Sequence, residues 1–320
     1  MIRLRLWFLP GAVLALISLL LGLSTLQAAA QQTPQSSGSP VNMVVTVEAR
    51  HGTNPGPVDQ RDVMVYQGKV RDTVTSWVRA KDDRADLELF ILLDDSAGES
   101  LGTQLADIRE FIDSQPAAAK VGVAYMQNGT AQIAQGATGD HAQAGKALRL
   151  PLGVAGVNAS PYFSLQDLIK RWPATNARRE VVMVSDGIDL YYDAADSQDP
   201  YVRDAITDAQ RAGVIVFAIY NPGAGHFSRS YWRSYWGQIS LSQVADETGG
   251  ESYYIGFTGP AVSFVPYLDD VEHRLSNQYL LTFLAQPVQK NGMQPVKLRT
   301  ELSNTELVGA DRVYVPATPH

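Results

Sequence analysis

Four short, continuously apolar runs, Leu87–Leu93, Val121–Tyr125, Val181–Val184 and Val214–Ile219, constrain this chain more than any other feature in it. A strand with one wet face alternates apolar and polar residues. An unbroken run belongs to a strand covered on both faces, the habit of parallel sheets flanked by crossover helices. Between the runs, Leu101, Leu105, Ile108 and Ile112 recur at helical spacing, Leu165, Leu168 and Ile169 mark another helix, and residues 202–212 a third. Alternating β and α predicts a doubly wound, mostly parallel α/β sheet, whose ligands sit beyond the carboxyl ends of the strands.

The two chain ends read differently. Residues 41–49 are β-branched and partly alternating, and residues 62–66 and 70–78 are joined by Gln67-Gly68-Lys69, the pattern of a hairpin. Late in the chain, Tyr267, Val271 and Leu275 mark a helix after Gly259-Pro260, and residues 278–283, 296–301 and 307–315 read as strands. Neither end has enough strands to hold a core by itself, so a small β-sandwich built from both ends, with the α/β domain inserted, is expected. The expected units are a signal peptide at 1–30, a polar linker at 31–40, N-terminal strands at 41–80, the α/β domain at 85–260, and a helix with C-terminal strands at 261–318.

The opening residues carry Arg3 and Arg5, an apolar stretch from Leu6 to Leu26, and Ala28-Ala29-Ala30 before a polar segment. That order, basic then apolar then small, is that of a secretory signal, with a membrane anchor over residues 6–26 as the alternative if it is not cleaved. Export to the periplasm or the outside is expected either way. The chain has no cysteine, which excludes a disulfide framework, a lipidated cysteine and thiolate metal sites. Removal of residues 1–30 takes away two arginines and no acid, carrying the net charge from −7 to −9, so nucleic acid is not an expected partner.

Two carboxylate-bearing segments directly follow apolar strands: Asp94-Asp95-Ser96-Ala97-Gly98 and Ser185-Asp186-Gly187-Ile188-Asp189. Carboxylates and hydroxyls converging at strand ends are oxygen ligands for a hard cation, and Mg²⁺ suits a protein shell that leaves a position for water or an outside acidic group. The same residues also suit helix capping and the satisfaction of loop amides.

These segments resemble the von Willebrand factor type A (VWA) fold and its metal-ion-dependent adhesion site, whose pattern is Asp-x-Ser-x-Ser, a distant Thr, and Thr-Asp-Gly. Asp94 and Ser96 match the first part and Asp186-Gly187 the last, while residues 212–219 and 241–250 match the strand, helix and glycine turn usual later in that fold. Over residues 41–316 the chain looks most like the secreted "VWFA-related" proteins of Acidobacteria. The resemblance implies a cation, Mg²⁺ or another divalent ion, held by Asp94, Ser96, Ser160 and Asp186. It implies a non-enzymatic binding or adhesion module that receives an acidic side chain from a protein ligand. Gly98 departs from the pattern by standing where the second Ser belongs, and Ser160 stands in for the Thr. The alternative is a cation-independent scaffold or assembly subunit of an envelope complex.

A second candidate surface lies in residues 226–236, where Arg229, Tyr231, Trp232, Arg233 and Trp236 interleave aromatic and guanidinium groups, the residue types of binding hot spots. It reads as a loop near the same rim, and its rings would equally serve as cover for the sheet edge. The five histidines are scattered without metal-ligand spacing. No phosphate loop, dinucleotide fingerprint or serine nucleophile elbow is present, so no catalytic residues are expected.

Overall fold

In the computed structural model, the apolar runs form the centre of a six-stranded sheet. The structure describes residues 38–317 except 53, 82–85, 98, 155, 193–197, 223–230 and 255–261, so the expected signal segment lies outside the described residues. The described residues belong to one unit, Gly38–His320.

The strands are β1 (Ser39–Ala49), β2 (Met64–Gln67), β3 (Val70–Arg79), β4 (Leu87–Asp94), β5 (Ala119–Gln127), β6 (Thr130–Thr138), β7 (Arg178–Ser185), β8 (Val214–Tyr220), β9 (Ser252–Tyr253), β10 (Gln278–Ala285), β11 (Gly292–Pro295), β12 (Lys297–Arg299), β13 (Thr305–Val308) and β14 (Arg312–Val315). The helices are α1 (Leu105–Ser114), α2 (His141–Lys146), α3 (Pro161–Arg171), α4 (Pro200–Ala212), α5 (Tyr231–Thr248) and α6 (Val265–Ser276).

The central sheet runs β6-β5-β4-β7-β8-β9. β5, β4, β7, β8 and β9 are parallel, and β6 is an antiparallel edge. Every residue of β4 and β8 is buried, as unbroken apolar runs require. One face carries Leu89, Ile91 and Leu93 against α1 and α6, and the other carries Phe90 and Leu92 against α3, α4 and α5. Helix starts follow from their caps. Ser160 accepts from Phe163 N at the start of α3, with Pro161 at the first position. Asp140 accepts from Gln143 N at the start of α2, so Asp140-His141 is a helix start.

Strands from the two chain ends do pair: β1 lies between β10 and β13, β3 pairs β10, and β2 pairs β12. They build one antiparallel sheet of order β12-β2-β3-β10-β1-β13 with a separate ribbon of β11 and β14, in place of the expected two-sheet sandwich. The edge strands β12 and β13 approach each other, which curls the sheet toward a barrel. Val313 and Val315 of the ribbon join Val45, Val65 and Phe283 in its core, so curling and the ribbon give the burial that a second sheet would otherwise supply. The expected strand at 307–315 is two strands with different partners.

Candidate functional site

Asp94 is the last residue of β4 and Ser185 the last of the neighbouring strand β7, so the two parallel strands deliver their side chains to one end of the sheet. Ser185 Oγ donates to Asp94 Oδ2 at 2.8 Å, and Ser96 donates to Asp94 Oδ1 from both Oγ and N, at 2.6 and 2.9 Å. Asp186 turns back on its own loop, with Oδ1 accepting from Ile188 N at 2.9 Å. Ser160 Oγ donates to Asp189 Oδ2 at 2.7 Å, and Asp189 Oδ1 accepts from the amides of Tyr191 and Tyr192.

The four candidate ligands Asp94, Ser96, Ser160 and Asp186 line one cavity of about 30 Å³, with Ile188 and Leu190 among its apolar walls. That volume holds an ion or one or two waters and no organic cofactor. The hydroxyl protons of Ser96 and Ser160 are engaged by carboxylates, which leaves their oxygens as acceptors. An all-oxygen set of two carboxylates and two hydroxyls fits a hard cation such as Mg²⁺. Gly98, the departure from the motif, lies outside the described residues. Among the described residues, no group of three or more His, Cys, Asp or Glu is placed to hold a metal, so a cation here would rest on two carboxylates and hydroxyls.

Burial pushes the Asp94 carboxyl up, countered by the hydrogen bonds from Ser96 and Ser185. Asp186 is pushed further, well above the usual carboxylate range, first by burial and then by the charge of Asp94 beside it. Asp189 is also raised by burial, with the Ser160 hydrogen bond opposing. Among the described residues no Lys, Arg or His forms an ion pair with any of the three. Two buried carboxylates with like charge and no cationic side chain call for a proton or a cation between them.

The loop geometry depends on two glycines. Gly187 has φ +69°, and a Cβ there would fall 2.2 Å from the carbonyl oxygen of Gly237 in α5. A Cβ on Gly237 would fall 2.3 Å from the carbonyl oxygen of Asp186. The missing side chains let α5 lie directly against the Asp186 loop, and Tyr162 OH donates to Gly187 O at 2.7 Å from the α3 side.

Ser185 and Asp189 complete this network, although the sequence pattern alone does not single them out as ligands. Their signal was position: Ser185 ends a buried strand directly before Asp186, and Asp189 lies in the same turn. The aromatic candidates fall elsewhere. Arg229 lies outside the described residues, and Tyr231, Trp232, Arg233 and Trp236 form the first turns of α5 in place of the expected loop. Tyr231 and Trp232 are exposed, Arg233 and Trp236 are half-buried, and none lines the Asp94 cavity. Tyr231, Trp232, Tyr235 and Trp236 contact one another in sequence edge to face, and Tyr231 stacks parallel to Tyr235 one turn on. Among the described residues, no helix is long and apolar enough to cross a membrane.

No family model matches the chain, and no curated protein matches its sequence. Among solved structures it is similar to BatB from Bacteroides thetaiotaomicron, with 14% identity and a TM-score of 0.45 over 59% of this chain and 97% of that one. An aerotolerance-related membrane protein from Bacteroides fragilis shows 15% identity and a TM-score of 0.43, over 59% of this chain and 98% of that one. The SpRpn10 VWA domain shows 13% identity and a TM-score of 0.37, over 57% of this chain and 94% of that one.

Proposed function

We propose that this chain is an exported, non-enzymatic protein-binding module of the VWA type, in which Asp94, Ser96, Ser160 and Asp186 hold a divalent cation that receives an acidic side chain from a protein ligand. The observation that carries this reading is the pair of buried, mutually repelling carboxylates Asp94 and Asp186 on one small cavity. A cation offsets both charges, and a shell of two carboxylates and two hydroxyls leaves coordination positions for an outside oxygen. The basic, apolar and small residues at 1–30 support export.

The test is thermal melting of the full chain in Mg²⁺ and in EDTA. A cation bound only by the folded state adds about 2.7 kcal/mol at roughly one hundred times its Kd, raising Tm. Identical melting curves over a full Mg²⁺ range would remove the cation from the reading.

One observation favours the second reading, a scaffold or assembly subunit that works without a cation. Both oxygens of Asp94 already accept hydrogen bonds from the chain's own Ser96 and Ser185. In that case partner binding is insensitive to chelator, while in the first it is lost with it.

A further inference from the structure

Leu150, Leu152, Val154 and Val157 stand out of the protein beside the Asp94 cavity, 57, 58, 69 and 88% exposed. From Leu150 to Gln166 the chain carries no charged residue. The segment is anchored at both ends. Asp95, 1% exposed, takes a bidentate pair from Arg149 at 2.6 and 3.0 Å and accepts from Leu152 N at 2.9 Å. The Asp95 carbonyl accepts from Gly153 N at 2.9 Å, and the Arg149 guanidinium lies 3.8 Å over the Tyr125 ring. Further along, Asn158 N donates to Asn128 Oδ1 at 2.9 Å. An ion pair with a buried carboxylate thus holds branched aliphatic side chains in water, where they cost hydration free energy, and an exposed apolar patch marks an interaction surface.

The patch is continuous with the acidic cavity, because Val154 and Leu190 line it together with Asp94 and Asp186. Further exposed large apolar side chains, Tyr191, Tyr231, Trp232, Tyr235 and Tyr254, follow the carboxyl ends of β7, β8 and β9 in the chain. A flat bilayer does not fill a concavity of about 30 Å³, whereas a single side chain from a protein segment can enter it.

We propose that this rim takes an extended segment of a partner protein in which a carboxylate is flanked by branched aliphatic side chains, the carboxylate entering the cavity and its neighbours lying on Leu150, Leu152 and Val154. The carboxylate rests on the cation reading above, and the aliphatic neighbours rest on the loop alone.

The test pans the full chain, in Mg²⁺, with two phage-displayed libraries of short random peptides, one with Asp fixed at the centre and one with Asn. The Asp library is enriched, and Leu, Ile and Val accumulate beside the fixed residue. Recovery of the enriched phage falls roughly tenfold on a Leu150→Ser/Leu152→Ser chain, whose melting and Mg²⁺ binding match the native chain because both side chains are exposed and neither lines the Asp94 cavity. Enriched Asp peptides without an aliphatic excess, or with equal recovery on the double variant, overturn the proposal and leave the cation reading standing. Equal enrichment of aliphatic peptides from both libraries removes the carboxylate and the cation reading with it, while the loop assignment stands. Capture of phosphatidylcholine vesicles by the native chain and not by the double variant assigns the loop to a membrane and overturns the proposal.

Discussion

Ser185 Oγ donates to Asp94 Oδ2 at 2.8 Å across the carboxyl ends of two adjacent parallel strands, and the same oxygen accepts from Gly187 N at 3.1 Å. One hydroxyl thereby ties β4 to β7 and shapes the turn that carries Asp186. Ser185→Ala leaves a buried carboxylate and a buried amide each short of a partner. Urea unfolding should show a loss of about 1–3 kcal/mol, and Ser185→Thr, which keeps the hydroxyl, should recover most of it. An alanine variant as stable as the native chain would show that this tie contributes nothing.

The contact between Gly237 and Asp186 gives a second prediction. A methyl group at 237 meets the Asp186 carbonyl oxygen at 2.3 Å, so Gly237→Ala must push α5 away from the site loop. The expected cost is about 1–3 kcal/mol or more, read as a fall in Tm. Gly136→Ala is the control: nothing lies within 4 Å of its Cβ, and its effect should stay within about 0.5 kcal/mol. Equal effects of the two substitutions would refute the close packing.

Far from the site, Glu180 of β7 is fully buried, with neither carboxylate oxygen hydrogen-bonded and Arg178 3.8 Å away. Burial, opposed in part by Arg178, pushes its carboxyl up to about 7 from the ordinary 4.5. Between those two values the folded state holds the proton and the unfolded state does not. The contribution of Glu180 is therefore most favourable at and below about pH 4.5, is lost as pH rises toward 7, and is flat above that. In urea unfolding from about pH 5 to about pH 7.5, the native chain should lose on the order of 2 kcal/mol more than Glu180→Gln. Parallel pH profiles for the two chains would contradict this.

What the sequence made legible follows from burial on two faces. β4, β7 and β8 could be read because strands covered on both sides are dominated by apolar residues, Glu88 and Glu180 notwithstanding, and Asp94 and Asp186 stood out because acids follow directly on those runs. β6 escaped, since an edge strand with one exposed face shows no apolar run. Its signal was Asn128-Gly129, the two-residue hairpin turn with positive φ at both positions. The start of α5 read as a loop because the apolar residues of that helix do not gather into one stripe. The curled sheet in place of a sandwich could not be read, because alternation tells which face of a strand is buried and not which strand lies beside it. Ser160 to Asp189, a contact spanning two loops, depends on tertiary closure in the same way.

The central claim, that Asp94 and Asp186 share a divalent cation, is tested most directly by calorimetric titration of Mg²⁺ into the full chain beside Asp94→Ala. The native chain should give a saturable heat that is absent from the variant, with both chains folded by circular dichroism. Indistinguishable heats from the two would contradict the claim.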